Sequence, residues 1–192
     1  MARTPAPTKD SIPQGQSAAF EEVLQMRGGG NPGRGPFSPM INVPEMAKRT
    51  LHLWHYLRGD GTNESSLSLS QKIQELAMIV VAREMDCQFI WNAHSASGRQ
   101  SGLPDALVDN LRDKKELTGM APDEAAVVHY GQEFFRTHRV SQATFDAALA
   151  QFGVGGLAEL TNLMGFYATL AFNANAFGMD LPEERTEKVL PI

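Results

Sequence analysis

One apolar run does most to limit what this chain can fold into. Ile73, Leu76, Ala77, Val80 and Val81 recur three and four residues apart, which places them on one face of a helix. No segment of the 192 residues alternates apolar and polar side chains for the length of a strand. Helix punctuation recurs instead. Pro44 opens a segment that stops at Gly59, Pro104 and Asp105 open another, Pro122 opens a third, and Ser141 caps a fourth that stops at Gly153. The expected fold is all-α, about eight helices with short connections, and the lack of a fixed-period repeat argues against a solenoid.

Local signals add detail. Residues 18–26 form a short amphipathic segment that stops at Gly28. The run GGGNPGRGPFSPMINVP behind it mixes permissive glycines with helix-forbidding prolines and reads as an extended loop whose one charge is Arg34. In the segment after Pro44, Met46, Leu53, Trp54 and Leu57 form the expected buried stripe. Residues 60–67 read as a turn-rich loop, and Ser68 with Gln71 reads as a capping box for the helix that follows. The last long helix, after Gly156, is apolar on most sides and is expected at the centre of the fold or in a subunit contact. Residues 1–33 read as a flexible tail and loop with a short helix, 34–183 as one domain, and 184–192 as a charged tail.

Composition narrows the function classes. A net charge of −5 with pI near 5.5, and Lys and Arg scattered along the chain, speak against a nucleic-acid partner; a small anionic substrate stays open if a few arginines converge. The lone cysteine excludes a disulfide within the chain and fits a reducing, cytoplasmic setting. The N-terminal residues lack the apolar core of an export signal. The apolar stretch 155–179 is interrupted by Glu159, Asn162, Asn173 and Asn175, so no membrane span is expected.

Chemistry concentrates in ELAMIVVAREMDCQFIWNAH, residues 75–94. On one unbroken helix Glu75 and Cys87 would lie about 18 Å apart. A turn at Met85 and Asp86 would fold the second half back, with Asp86 as N-cap and Cys87 as first helical residue. Cys87, Ile90, Trp91 and His94 then share one face at i, i+3, i+4 and i+7. A cysteine in a first turn feels the partial positive charge of unpaired N–H groups, which favours thiolate. Carboxylate, imidazole and thiol together suit acid–base or thiol redox work. The same three groups could equally be a small core residue, a bonded core histidine and a paired carboxylate. His52 and His55 are three apart, but no HExxH pattern or carboxylate at suitable spacing accompanies them; they read as structural, as do His129, a half-buried packing residue, and His138. No metal site is expected.

Glu75, Cys87 twelve residues on and His94 seven beyond it resemble the signature of the carboxymuconolactone decarboxylase and alkylhydroperoxidase D superfamily. The likeness extends over residues 34–183, through GPFSPMINVPEMA, LSQKIQELAMIVVAREMDCQFIWNAHSASGRQSGLP and LAELTNLMGFYATLAFNANAFGMDLP. It implies an all-helical fold assembled as trimers or hexamers, with a pocket near subunit contacts. Two departures matter. The peroxidase branch pairs its cysteine in a CxxC with a histidine before the second cysteine; here Phe89 and Ile90 occupy those positions, so no disulfide cycle can close within one chain. Ile90 also replaces a glutamate that often precedes the tryptophan in the decarboxylase-like branch.

The resulting expectation is a lyase or isomerase acting on a small carboxylated, lactone-like or unsaturated compound. The catalytic candidates are His94 as general acid or base, Glu75 as its orienting carboxylate, and Cys87. Arg34 is a candidate carboxylate anchor, and Trp91 and Phe89 are candidate apolar walls. No cofactor is implied, because an electron-poor lactone can itself accept the electrons released on decarboxylation. The alternatives are a Cys87 thiol peroxidase with an external reductant and a non-catalytic oligomeric binding protein.

Overall fold

The computed structural model describes residues 3–29, 31–59, 66–179, 181, 185 and 187–192. Among the described residues there are eight helices and no strand: α1 (Ser17–Met26), α2 (Ser38–Ile41), α3 (Pro44–Arg58), α4 (Gln71–Glu84), α5 (Gln88–Gln100), α6 (Asp105–Asp113), α7 (Pro122–Thr137) and α8 (Gln142–Phe177). The all-α expectation holds. The turn-rich loop expected at 60–67 lies outside the described residues except for Ser66 and Leu67. The chain divides into two compact units, Met1–Leu67 with Asn173–Asp180, and Ser68–Phe172 with Leu181–Ile192.

In the first unit α1 packs on α3, burying Ala19, Phe20 and Val23. Helix α3 starts at Pro44, whose missing N–H costs nothing in a first turn, and stops at Gly59, which takes a φ of 79°. Its buried face differs from the expected stripe. Ala47, Leu51 and Leu57 point inward, while Met46 and Leu53 are about half exposed, because the neighbour that selects the face, α1, is remote in sequence. The expected extended loop also contains one helical turn, α2, with Pro39 tolerated in its first turn. The N-terminal residues, read as a tail, are tied down: the Arg3 N–H donates to the Phe177 carbonyl at 2.9 Å and its guanidinium to that of Ala176 at 3.0 Å.

The second unit is built around α4. Every residue from Ile73 to Arg83 is buried, so this helix lies at the centre of the unit. Burial of Leu76, Met78 and Ile79 alone stabilises by about 1.5–3 kcal/mol each. Helices α5, α6 and α7 pack on it. Gly131 of α7 permits the closest approach, since a Cβ there would lie 2.8 Å from Val80 Cγ1 and 3.0 Å from Met164 Cε. The N-cap of α4 is Ser70, whose hydroxyl accepts the Ile73 N–H; Ser68, the expected cap, is instead bonded through N–H and Oγ to Glu159 at 2.9 and 2.6 Å. The α8 span joins two helices at Gly153, where φ 65° and ψ 178° are non-helical and the expected stop falls, and it exposes Val154 and Phe172. Among the described residues no helix is long and apolar enough to cross a membrane.

Candidate functional site

Helix α4 ends in a Schellman motif. The Cys87 N–H donates to the Ala82 carbonyl at 2.8 Å and the Asp86 N–H to that of Arg83 at 3.3 Å, with Asp86 in the left-handed region at φ 47°. Asp86 therefore closes α4 rather than opening α5, and its carboxylate pairs with the Arg83 guanidinium. Cys87 takes the N-cap position of α5, so the helix starts one residue later than expected, at Gln88. The turn does fold α5 back along α4, as the spacing of Glu75 and Cys87 required.

The fold-back brings together Glu75 and His94. His94 Nδ1 lies 2.8 Å from Glu75 Oε2, and the Gln71 side-chain amide donates to Glu75 Oε1 at 2.8 Å. The Glu75 side chain is 1% exposed and that of His94 17%, so the carboxylate is sealed while the imidazole keeps an opening. A carboxylate only accepts hydrogen bonds, so Nδ1 carries the donated proton and a neutral ring holds its lone pair on Nε2. The Tyr167 ring of α8 meets the imidazole edge-on, with centroids 5.0 Å apart. Gly98, one turn beyond His94, keeps α5 close: a Cβ there would lie 3.7 Å from Glu75 Cβ and 2.8 Å from Leu103 Cδ1. Gln71 and Tyr167 were not among the sequence candidates. Gln71 could have been found at i−4 from Glu75 on one helix face, whereas Tyr167 carries no local signal.

Cys87 does not join this pair. Seven residues of α5 separate it from His94, a rise of about 10 Å, and it is fully buried. Burial pushes its thiol above the ordinary range, outweighing the Ile90 and Phe89 N–H groups that favour thiolate. The first-turn activation anticipated from sequence is thus overridden by desolvation.

The other candidates fall elsewhere. Trp91 is 1% exposed, and its indole N–H donates to the Lys188 carbonyl at 3.1 Å. Nearby, the Gln88 amide both donates to and accepts from Leu190, at 2.7 and 2.8 Å, so the stretch read as a charged C-terminal tail is held against α5. Phe89 is half-buried in the first turn of α5. Arg34 belongs to the first unit, where it is exposed and its carbonyl accepts from the Arg27 guanidinium at 2.6 Å. His129, expected half-buried, is exposed. Among the described residues no three His, Cys, Asp or Glu side chains could jointly hold a metal ion.

No family model matches the sequence, and no curated protein matches it. Solved structures do. An uncharacterized peroxidase-related protein from Ralstonia eutropha JMP134, described as an alkylhydroperoxidase AhpD core, superposes with a TM-score of 0.67 at 16% identity over 95% of this chain and 93% of that one. An uncharacterized peroxidase-related protein from Silicibacter sp. TM1040 gives 0.66 at 19% identity over 95% and 92%. A protein of unknown function from Agrobacterium tumefaciens, with AhpD of antioxidant defence as its suggested identity, gives 0.62 at 18% identity over 73% and 93%. The chain has the AhpD-like fold. That agrees with the resemblance carried by Glu75, Cys87 and His94, and at these identities the likeness speaks for the fold and leaves the reaction to the site.

Proposed function

We propose that this AhpD-like chain is a lyase or isomerase that moves a proton on a small carboxylated, lactone-like or unsaturated compound through His94. The observation that carries this reading is the buried Glu75 carboxylate 2.8 Å from His94 Nδ1. Glu75 fixes the ring tautomer and stabilises the imidazolium that forms when Nε2 accepts a proton. In an isomerisation, Nε2 takes a proton from a carbon acidified by a neighbouring carbonyl and returns it to another carbon of the same conjugated system. In a decarboxylation, the electrons of the breaking carbon–carboxylate bond pass into the conjugated carbonyl, carbon dioxide leaves, and protonated His94 delivers a proton to the resulting carbanionic carbon. Positioned acid–base groups of this kind contribute roughly 10²–10⁴-fold in rate. The chain enters as a cytoplasmic homo-oligomer, a trimer or hexamer. Light scattering checks the last point, and a stable monomer would count against it.

The test is turnover of a panel of carboxylated lactones and unsaturated acids, followed by carbon dioxide release and absorbance. His94→Ala is expected to abolish it and Cys87→Ser to retain most of it; the opposite pattern removes the proposal.

A second reading rests on the structural neighbours, two of which are peroxidase-related proteins. There the Cys87 thiolate would attack a hydroperoxide oxygen, releasing alcohol and leaving a sulfenic acid that an external thiol reduces with loss of water. Consumption of an alkyl hydroperoxide in the presence of a dithiol, lost in Cys87→Ser, would establish it.

A further inference from the structure

At the other end of α4 from Glu75, a cleft of about 230 Å³ has Arg83 and Glu84 of α4, Lys114 and Lys115 just past α6, and His129 and Arg136 of α7 in its lining. Glu84 lies nine residues beyond Glu75, a rise of about 13 Å, so the cleft is separate from the His94 pair. We infer that this cleft binds a phosphate-type dianion, either the free ion or the phosphoryl group of a small monoester.

Charge is the first support. Arg136 is neutralised by two hydrogen bonds to Glu84, at 2.9 and 2.6 Å. The remaining carboxylates are shared: Asp86 serves both Arg83 and Lys114, and Asp113 serves both Arg112 and Lys115. Arg83, Lys114, Lys115 and Arg136 line the cleft and pair with three carboxylates, Asp86, Asp113 and Glu84, which leaves one positive charge there.

The second support is an orphaned donor. The Arg83 side chain is 4% exposed, yet Asp86 takes its Nη1, and among the described residues the buried Nε has no hydrogen-bond partner. A buried guanidinium N–H left unpaired is costly, and an oxyanion is the chemistry that matches it. Helix C-termini attract cations through their carbonyls, and that accounts for part of the cluster. It does not account for Arg83 Nε. At α6, moreover, the Asn110 and Leu111 carbonyls already accept the Lys115 and Lys114 N–H groups. The guanidinium supplies directed donors and the two exposed ammonium groups supply mobile charge, the combination that phosphate takes. The volume leaves room for a small organic group beside it.

Titration calorimetry of the full chain at constant ionic strength, with inorganic phosphate in one arm and phenyl phosphate in the other, tests the inference. Saturable one-to-one binding of either probe is expected, weakened about tenfold or more in Lys114→Gln/Lys115→Gln, whose side chains are exposed and whose loss leaves the core intact. Arg83→Met is expected to abolish binding; should that variant not fold, the lysine pair carries the test alone. Lys72→Gln, which removes a cation paired with Glu124, leaves binding unchanged. Phosphate alone binding identifies the free ion, and phenyl phosphate binding more tightly identifies a monoester. No saturable binding of either probe, or binding indifferent to the lysine pair, overturns the inference.

Discussion

The two ends of the α4–α5 hairpin treat their reactive groups in opposite ways. At the turn, Cys87 is wholly enclosed and burial drives its thiol toward the neutral form. Two turns along, His94 keeps an opening while the carboxylate behind it is the sealed group, satisfied by Nδ1 and by Gln71. The lesson is that a shared helix face does not make a shared site. Cys87 and His94 line up on α5, but only the partner helix decides which of them gains a charged neighbour.

The largest effect expected from breaking this contrast follows Glu75→Ala. It leaves the His94 and Gln71 donors without their acceptor and opens a void in the most buried helix, so urea unfolding should show a loss on the order of 3 kcal/mol. Turnover should vanish with it. Cys87→Ala removes one buried sulfur, and the same measurement should show about 1 kcal/mol with activity retained. Gln71→Ala sharpens the catalytic end. It removes one neutral amide bond to the carboxylate at a position near solvent, and should cost up to about 1 kcal/mol while lowering kcat by less than Glu75→Ala does.

These contrasts were only partly legible in the sequence. Helix starts at Pro44 and Pro122 and the stop at Gly59 are local chemistry, because a missing N–H or a positive φ acts within one turn. The α4 core was legible for a similar reason, since its apolar spacing sits in one short window. The buried face of α3 was not, because α1 selects it from 20 and more residues away. The place of Cys87 at a helix start could be read from sequence, and the desolvation that raises its thiol could not. The hold of Trp91 and Gln88 on residues 188 and 190 spans about half the chain and leaves no periodic trace. Asp86 was read as the N-cap of α5, whereas its left-handed φ makes it the end of α4, closed by the Cys87 and Asp86 N–H groups.

The smallest effect lies beyond the hairpin, at Asp113. Its hydrogen bonds to Arg112 and Lys115 hold its carboxyl down at about 2. With the folded value depressed, its contribution is present above the ordinary carboxylate range near 3.9 and is lost as pH falls through about 2. The difference in urea midpoint between the wild type and Asp113→Asn should therefore shrink between pH 4.5 and pH 2, and a constant difference would show that the pairing contributes nothing.

The division between a closed thiol and an open imidazole is tested most directly by the rate of Cys87 alkylation in the native chain as a function of pH. Burial raises the folded thiol above its unfolded value, so the native rate should rise only beyond the ordinary thiol pKa near 8.5. It should also stay below the rate of the unfolded chain throughout. Fold stability should fall with pH over the interval between the two values, because the unfolded chain releases the proton first. Rapid, stoichiometric labelling at pH 7 with a midpoint at or below neutrality would contradict the account and return Cys87 to the centre of the chemistry.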